Sequence, residues 1–142
     1  MVIGFTGTRQ GMTDAQRATV RSLLLQLRPE LAIHGDCVGA DEDFDALCAE
    51  LTIPRSTLPR TAPDELRAHC ERRGAHQAMP PRAHMVRNRD IAAHPVLIAC
   101  PWNDVPIHRG SGTWATVRFA HRMGKRVYLV HPDGLCDAIL GS

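Results

Sequence analysis

Alternating strand-like and helix-like segments along all 142 residues predict a single α/β domain with a mostly parallel sheet of about five strands. Three observations carry this. Strand-like runs stand at 2–6, 31–34, 53–58, 95–100 and 126–130. The intervals between them place apolar residues three and four apart, the period of a helix packed on one face. Three of the runs leave their carboxyl ends through glycine-bearing loops, at 7–11, 35–41 and 109–113. Right-handed crossovers between parallel strands then put helices on both faces of the sheet, giving three layers. One domain over 1–142 suits the length, which buries a core without metal or disulfide staples.

Each element has a local reason. After the first strand, Thr13 reads as a helix N-cap, and Gln16 three residues on completes a capping box. Val20, Leu23, Leu24 and Leu27 then form one apolar stripe, and Pro29 stops the helix. Leu31 to His34 is a second strand, followed by a helix that buries Phe44, Leu47, Cys48 and Leu51. Ile53 to Leu58 reads as a third strand at a sheet edge, because Pro54 and Pro59 flank it. The stretch 54–84 is an irregular insertion. Pro63 could open a short helix over 64–73, and Gly74, Pro80 and Pro81 break regularity beyond it, so the stretch reads as a lid over a site. A helix from His84 to Ala93, a strand at 95–100, a helix at 112–123 and a last strand at 126–130 complete the alternation. The tail from 131 to 142 reads as one more helical turn.

Composition narrows the class. Hydrophobic residues make up 44% and charged residues 23%, ordinary for a globular domain. A formal net charge of +2 mildly favours anionic partners but falls short of a general DNA binder. Met1 to Phe5 enter a strand directly and no long apolar run comes after them. The expectation is a cytoplasmic protein with neither signal peptide nor membrane span. Five cysteines at 37, 48, 70, 100 and 136 form no C-x-x-C pair and read as reduced thiols.

In a parallel sheet, ligands sit beyond the carboxyl ends of the strands, and three glycine loops meeting there would form one pocket. The stretch His108 to Trp114, between a buried strand and a helix, aims backbone N–H groups and a helix N-terminus at one point. Phosphate is the usual anion at such a point. The loops match neither G-x-G-x-x-G nor G-x-x-x-x-G-K-[ST], which argues against dinucleotide fingerprints and hydrolytic P-loops. Thr6, Thr8 and Arg9 lie where they could bind a phosphate or ribose. Asp36 could accept from ribose hydroxyls, whereas Asp41 suits the start of the following helix. Arg87 and Asn88 stand beside Arg89 at the start of another helix, and arginine's planar fork suits phosphate. Trp114 could stack on a base or pack in the core. His69, Cys70, His76 and His84 match no zinc spacing, and Ser111 lacks the G-x-S-x-G elbow, so neither metal nor resident cofactor nor serine nucleophile is expected.

Arg87-Asn88-Arg89-x-Ile91-Ala92, followed by Ser111-Gly112-Thr113-x-x-Thr116-x-x-x-Ala120-x-x-x-Gly124-Lys125-x-Val127-Tyr128, resembles the Rossmann-like core of the DNA-processing protein A (DprA) family. Gly4-x-Thr6-Gly7-x-Arg9 and Gly35-x-x-x-Gly39-Ala40-Asp41 resemble the wider SLOG superfamily, which includes the LOG cytokinin-activating phosphoribohydrolases and small nucleotide-sensing proteins. The resemblance covers nearly all of the chain outside 54–84. It implies a nucleotide, a nucleotide-derived signal or single-stranded DNA as ligand, and a homodimer as the assembly. Carried over by position, it implies a pocket lined by Gly7, Thr8, Arg9, Gly35, Asp36, Arg87, Asn88, Arg109, Gly110, Ser111, Gly112 and Thr113. The phosphoribohydrolases carry P-G-G-x-G-T-x-x-E. Here the glutamate's place falls to Thr116, or to Ala115 one residue earlier, and neither is a base, so turnover would need Asp36 or Asp41. Three readings result, in this order: a nucleotide-binding module, a nucleoside monophosphate N-glycosidase, and a single-stranded DNA binder.

Overall fold

The computed structural model describes residues 1–61, 63–77, 80–103 and 112–140. They form one seven-stranded sheet between helices, and the α/β, mostly parallel reading holds. The chain runs β1 (Val2–Gly7), α1 (Asp14–Leu27), β2 (Leu31–His34), α2 (Ala40–Glu50), β3 (Arg55–Thr57), β4 (His76–Gln77), α3 (His84–Ala92), β5 (Val96–Cys100), α4 (Gly112–Arg122), β6 (Arg126–Val130) and β7 (Cys136–Leu140). The spatial order is β4-β3-β2-β1-β5-β6-β7, parallel throughout except for β7, which is antiparallel to β6.

Two strands exceed the expected five, and both lie at edges. The two-residue β4 covers β3, so the proline-flanked third strand is interior and shorter than 53–58. β7 replaces the helical turn expected in the tail. Gly134, with φ +89, closes the reversal after β6, and His131 exchanges with it and with Leu135 through backbone bonds of 2.8 Å. A strand edge awaiting partners is a long-range feature that the tail's own composition does not display. The helix expected over 64–73 is instead two single 3-10 turns, Asp64–Leu66 and Cys70–Arg73.

The sheet divides the core in two. Ile3, Phe5, Ile98 and Cys100 face α1 and α2, where Val20, Leu24, Phe44 and Leu47 cover them. Their neighbours Leu97, Ala99, Val127 and Leu129 face α3 and α4, where Ile91, Trp114, Val117 and Ala120 cover them. Strand alternation with both faces apolar is what parallel strands buried on two sides require. At the start of α1 the capping box forms as expected: Gln16 N–H donates to Thr13 Oγ1 and Thr13 N–H to Gln16 Oε1, both at 3.0 Å. Gln16 is 1% exposed, and its Nε2 also donates to the carbonyls of Pro101 and Val130, so one side chain caps α1 and ties it to the ends of β5 and β6.

β1 pairs with β2 on one side and β5 on the other. The chain therefore winds outward from β1 in one direction and restarts at β5 in the other. The carboxyl ends of these two strands, Gly7 opposite Cys100, mark the topological switch point where α/β sheets bind ligands.

Candidate functional site

At that switch point opens a cavity of about 520 Å³, within the range of small-molecule sites. The first loop supplies its floor. Thr8 N–H donates to the carbonyl of Cys100 at 3.1 Å, and Thr8 in turn accepts from Ala40 N–H at 2.9 Å, which seats Thr8 between β5 and the start of α2. Gly39, at φ +94, lies so close to the Arg9 backbone that a Cβ would collide with its carbonyl. Only glycine meets both demands, and its presence lets the first two loops interlock behind Arg9.

Arg87 and Asn88 reach the cavity from α3, 6% and 1% exposed. Arg89, the next residue, turns outward, where its guanidinium lies 5.0 Å over the ring of Phe119. Gly35 serves Arg87 directly. A Cβ on Gly35 would overlap Arg87 Nη1 and come 3.1 Å from Asp41 Oδ2, so the missing side chain is the slot that admits the guanidinium beside Asp41. Arg60 enters from the segment after β3, completing three arginines on one cavity. They are close enough to act on one another: burial lowers the pKa of Arg60, and the charges of Arg9 and Arg87 lower it further.

The two aspartates part company. Asp36, fully buried and at φ 56, has both oxygens engaged: Arg67 Nη2 donates to Oδ2 at 2.9 Å and Cys70 N–H to Oδ1 at 2.8 Å. Its carboxylate anchors the insertion, and it is not among the residues lining the cavity. With Val38 N–H on the Leu66 carbonyl and Ala68 N–H on that of Asp36, residues 64–73 are fastened to the second loop. Asp41 does line the cavity, 4% exposed, with Oδ2 accepting from Cys37 N–H at 3.1 Å. Burial raises its pKa, against the pull of His34 and Arg87. The Cys37 thiol beside it is pushed up to about 11 by burial and by Asp41, although Arg87, Arg60 and Arg9 all act in the opposite direction. A thiol held there stays protonated at neutral pH and is no nucleophile.

The far wall comes from Trp102 and Asn103 after β5 and from Gly112, Thr113 and Trp114 at the start of α4. Trp114 is 6% exposed and belongs to the core under α4, whereas Trp102 is 64% exposed. Thr116 donates its hydroxyl to the Gly112 carbonyl at 2.8 Å and closes the first turn. Of the residues singled out in sequence, Thr6, Gly7, Thr8, Arg9, Asp41, Arg87, Asn88, Gly112, Thr113 and Trp114 border the cavity, and Gly35 stands behind Arg87. Arg109, Gly110 and Ser111 lie outside the described residues. Gln10, Cys37, Arg60, Trp102 and Asn103 were not singled out as ligand contacts. Arg60 and Trp102 carry no motif, yet each stands two or three residues beyond the carboxyl end of a parallel strand, a position that is itself a signal.

Among the described residues, two side-chain groups away from the cavity have metal-like composition, His34-Asp45-Cys70 and Asp36-His69-Glu71. In the first, Arg55 donates to both Asp45 oxygens and Arg73 Nη2 lies 3.6 Å from Cys70 Sγ, so guanidiniums already supply positive charge. In the second, His69 pairs with Asp64 and Glu71, and Asp36 with Arg67. Among the described residues no helix is long and apolar enough to cross a membrane.

No family model matches the chain, and no curated protein matches it. One solved structure does. The molybdenum cofactor binding protein of the phototrophic bacterium Rippkaea orientalis superposes with a TM-score of 0.68 at 17% identity, over 92% of this chain and 76% of that one. At that identity the likeness is one of fold.

Proposed function

We propose that the cavity binds a phosphate-bearing small molecule of the nucleotide class. The observation that carries this is the convergence of Arg9, Arg60 and Arg87 with the N-terminus of α4 at the switch point of the sheet. The phosphate would lie on the N–H groups of Gly112 and Thr113, with guanidiniums closing round it, a helix-start anion site reinforced by bidentate donors. The SLOG resemblance implies further ligand contacts at Arg109, Gly110 and Ser111, which lie outside the described residues. The structural neighbour binds a molybdenum cofactor, which supports a small-molecule occupant over a nucleic-acid strand. The net charge of +2 favours the same choice, since a strand needs phosphate contacts along a basic track.

Isothermal titration with AMP, ADP, ATP and ADP-ribose, beside a short single-stranded DNA, tests the reading. Saturable one-to-one binding of a small nucleotide is expected. At a hundredfold excess over Kd it stabilises the fold by about 2.7 kcal/mol, a clear thermal shift. Binding confined to DNA, strengthening with strand length and falling steeply with salt, would replace the reading with the third one. No heat from any phosphate compound would refute it.

A second reading, an N-glycosidase, draws support from Asp41. A buried acid whose pKa is raised can donate a proton to a departing base while water adds to C1′, releasing base and ribose 5-phosphate. Asp41→Asn is expected to abolish release of free base from nucleoside monophosphates. The variant should fold, because a raised carboxyl pKa means that ionisation costs stability above the ordinary carboxylate range, and asparagine removes that cost. Release that is undiminished in Asp41→Asn would discard this role.

A further inference from the structure

Trp102 is a feature of the cavity that phosphate chemistry does not use. It is 64% exposed, although burying an indole is strongly favourable, and among the described large apolar residues only Leu135 is more exposed. It stands on the cavity wall two residues past β5, with Asn103 beside it. The other tryptophan, Trp114, packs in the core. The cavity thus pairs a wall of guanidiniums with an open aromatic face, so its lining is amphipathic in a way that a bare oxyanion would not exploit.

We infer that Trp102 is a stacking platform for the ring of the ligand, which makes the site selective for a planar heterocycle joined to phosphate over a phosphorylated sugar or inorganic phosphate. This rests on the phosphate reading above and adds to it the second half of the ligand. Stacking on an aromatic side chain is worth enough to change affinity about tenfold or more, and it tolerates any base because every base has a π-face. The polar edge would then be read by neighbours such as Asn103, while Arg9, Arg60 and Arg87 hold the anionic end.

The test compares AMP and GMP with ribose 5-phosphate and pyrophosphate, by calorimetry and by tryptophan fluorescence, in the wild type, Trp102→Ala and Trp102→Phe. Trp102 is exposed, so neither variant threatens the fold. The inference expects nucleotides to bind about tenfold more tightly than ribose 5-phosphate and to change the emission of the exposed indole. Trp102→Ala should remove both the fluorescence change and the tenfold advantage, leaving the affinity for ribose 5-phosphate unaltered, and Trp102→Phe should restore most of the nucleotide affinity. Equal binding of AMP and ribose 5-phosphate, or full AMP affinity in Trp102→Ala, would overturn the stacking role while leaving the phosphate site standing. Absence of binding by all four compounds would overturn both.

Discussion

Alanine at Asp45 is expected to destabilise the fold by about 3–5 kcal/mol, because it removes one partner from a buried ionic network. Asp45 and His34 are 1% and 0% exposed. The backbone N–H of Asp36 donates to His34 Nδ1 at 3.0 Å, which leaves Nε2 to carry the proton and donate to Asp45 Oδ1 at 2.9 Å. Arg55 donates to both oxygens of the same carboxylate, at 3.1 and 3.2 Å, and to the Arg73 carbonyl at 2.8 Å. One carboxylate on α2 thereby joins β2, β3 and the second 3-10 turn. Removing it strands a buried guanidinium and a buried imidazole N–H. A fall in Tm of about 10 °C or more is expected from calorimetry, and a shift of only a degree or two would mean that the network relaxes onto water.

The same group sets a pH dependence. Burial alone would raise the pKa of Asp45, but hydrogen bonds from His34 and Arg55 outweigh it and hold the carboxyl below its ordinary value. A depressed carboxyl contributes stability that is complete above its unfolded pKa, about 4, and is lost as pH falls through the lower folded value. The gap in stability between wild type and Asp45→Ala should therefore be constant near neutrality and narrow below about pH 4. A gap that closes instead between pH 6 and 8 would show that a group other than Asp45 governs it.

Arg87→Ala is expected to weaken nucleotide binding about 100-fold while changing Tm little. Loss of a bidentate, charge-assisted contact to phosphate costs about 3 kcal/mol, and each 1.4 kcal/mol is a factor of ten. The stability of the free protein should change little, since removing Arg87 relieves its repulsion with Arg60 and this offsets the loss of its charge beside Asp41. Gly35→Ala separates position from charge. Its added methyl would occupy the place of Arg87 Nη1 and displace the guanidinium without removing it, so affinity should fall here too. Arg87→Lys should recover only part of the affinity, because an ammonium offers a charge without the fork. A large loss of Tm in Arg87→Ala with unaltered affinity would recast Arg87 as a structural cation.

The chain's own order of residues was enough for whatever depends on near neighbours. The capping box of Thr13 and Gln16, the apolar stripes of α1 and α2, the buried strands and the three-layer α/β class all stem from periodicity and capping within a few residues. The switch-point cavity was legible in outline for the same reason: a parallel sheet puts the carboxyl ends of its strands on one side. Only tertiary structure decided which side chains fill that outline. Asp36 and Asp41 are both buried acids five residues apart, yet Arg67 and the Cys70 backbone, 31 and 34 residues from Asp36, take the first and leave the second to the cavity. Trp102 and Trp114 look alike in sequence, but Trp114 is buried beneath α4 and Trp102 is not. β7 exists because the edge of β6 offers it unpaired backbone groups, and Arg60 joins Arg87 because an irregular insertion is fastened to the second loop. In each case the deciding partner lies far away along the chain, and burial, charge pairing and strand pairing act on what is near in space.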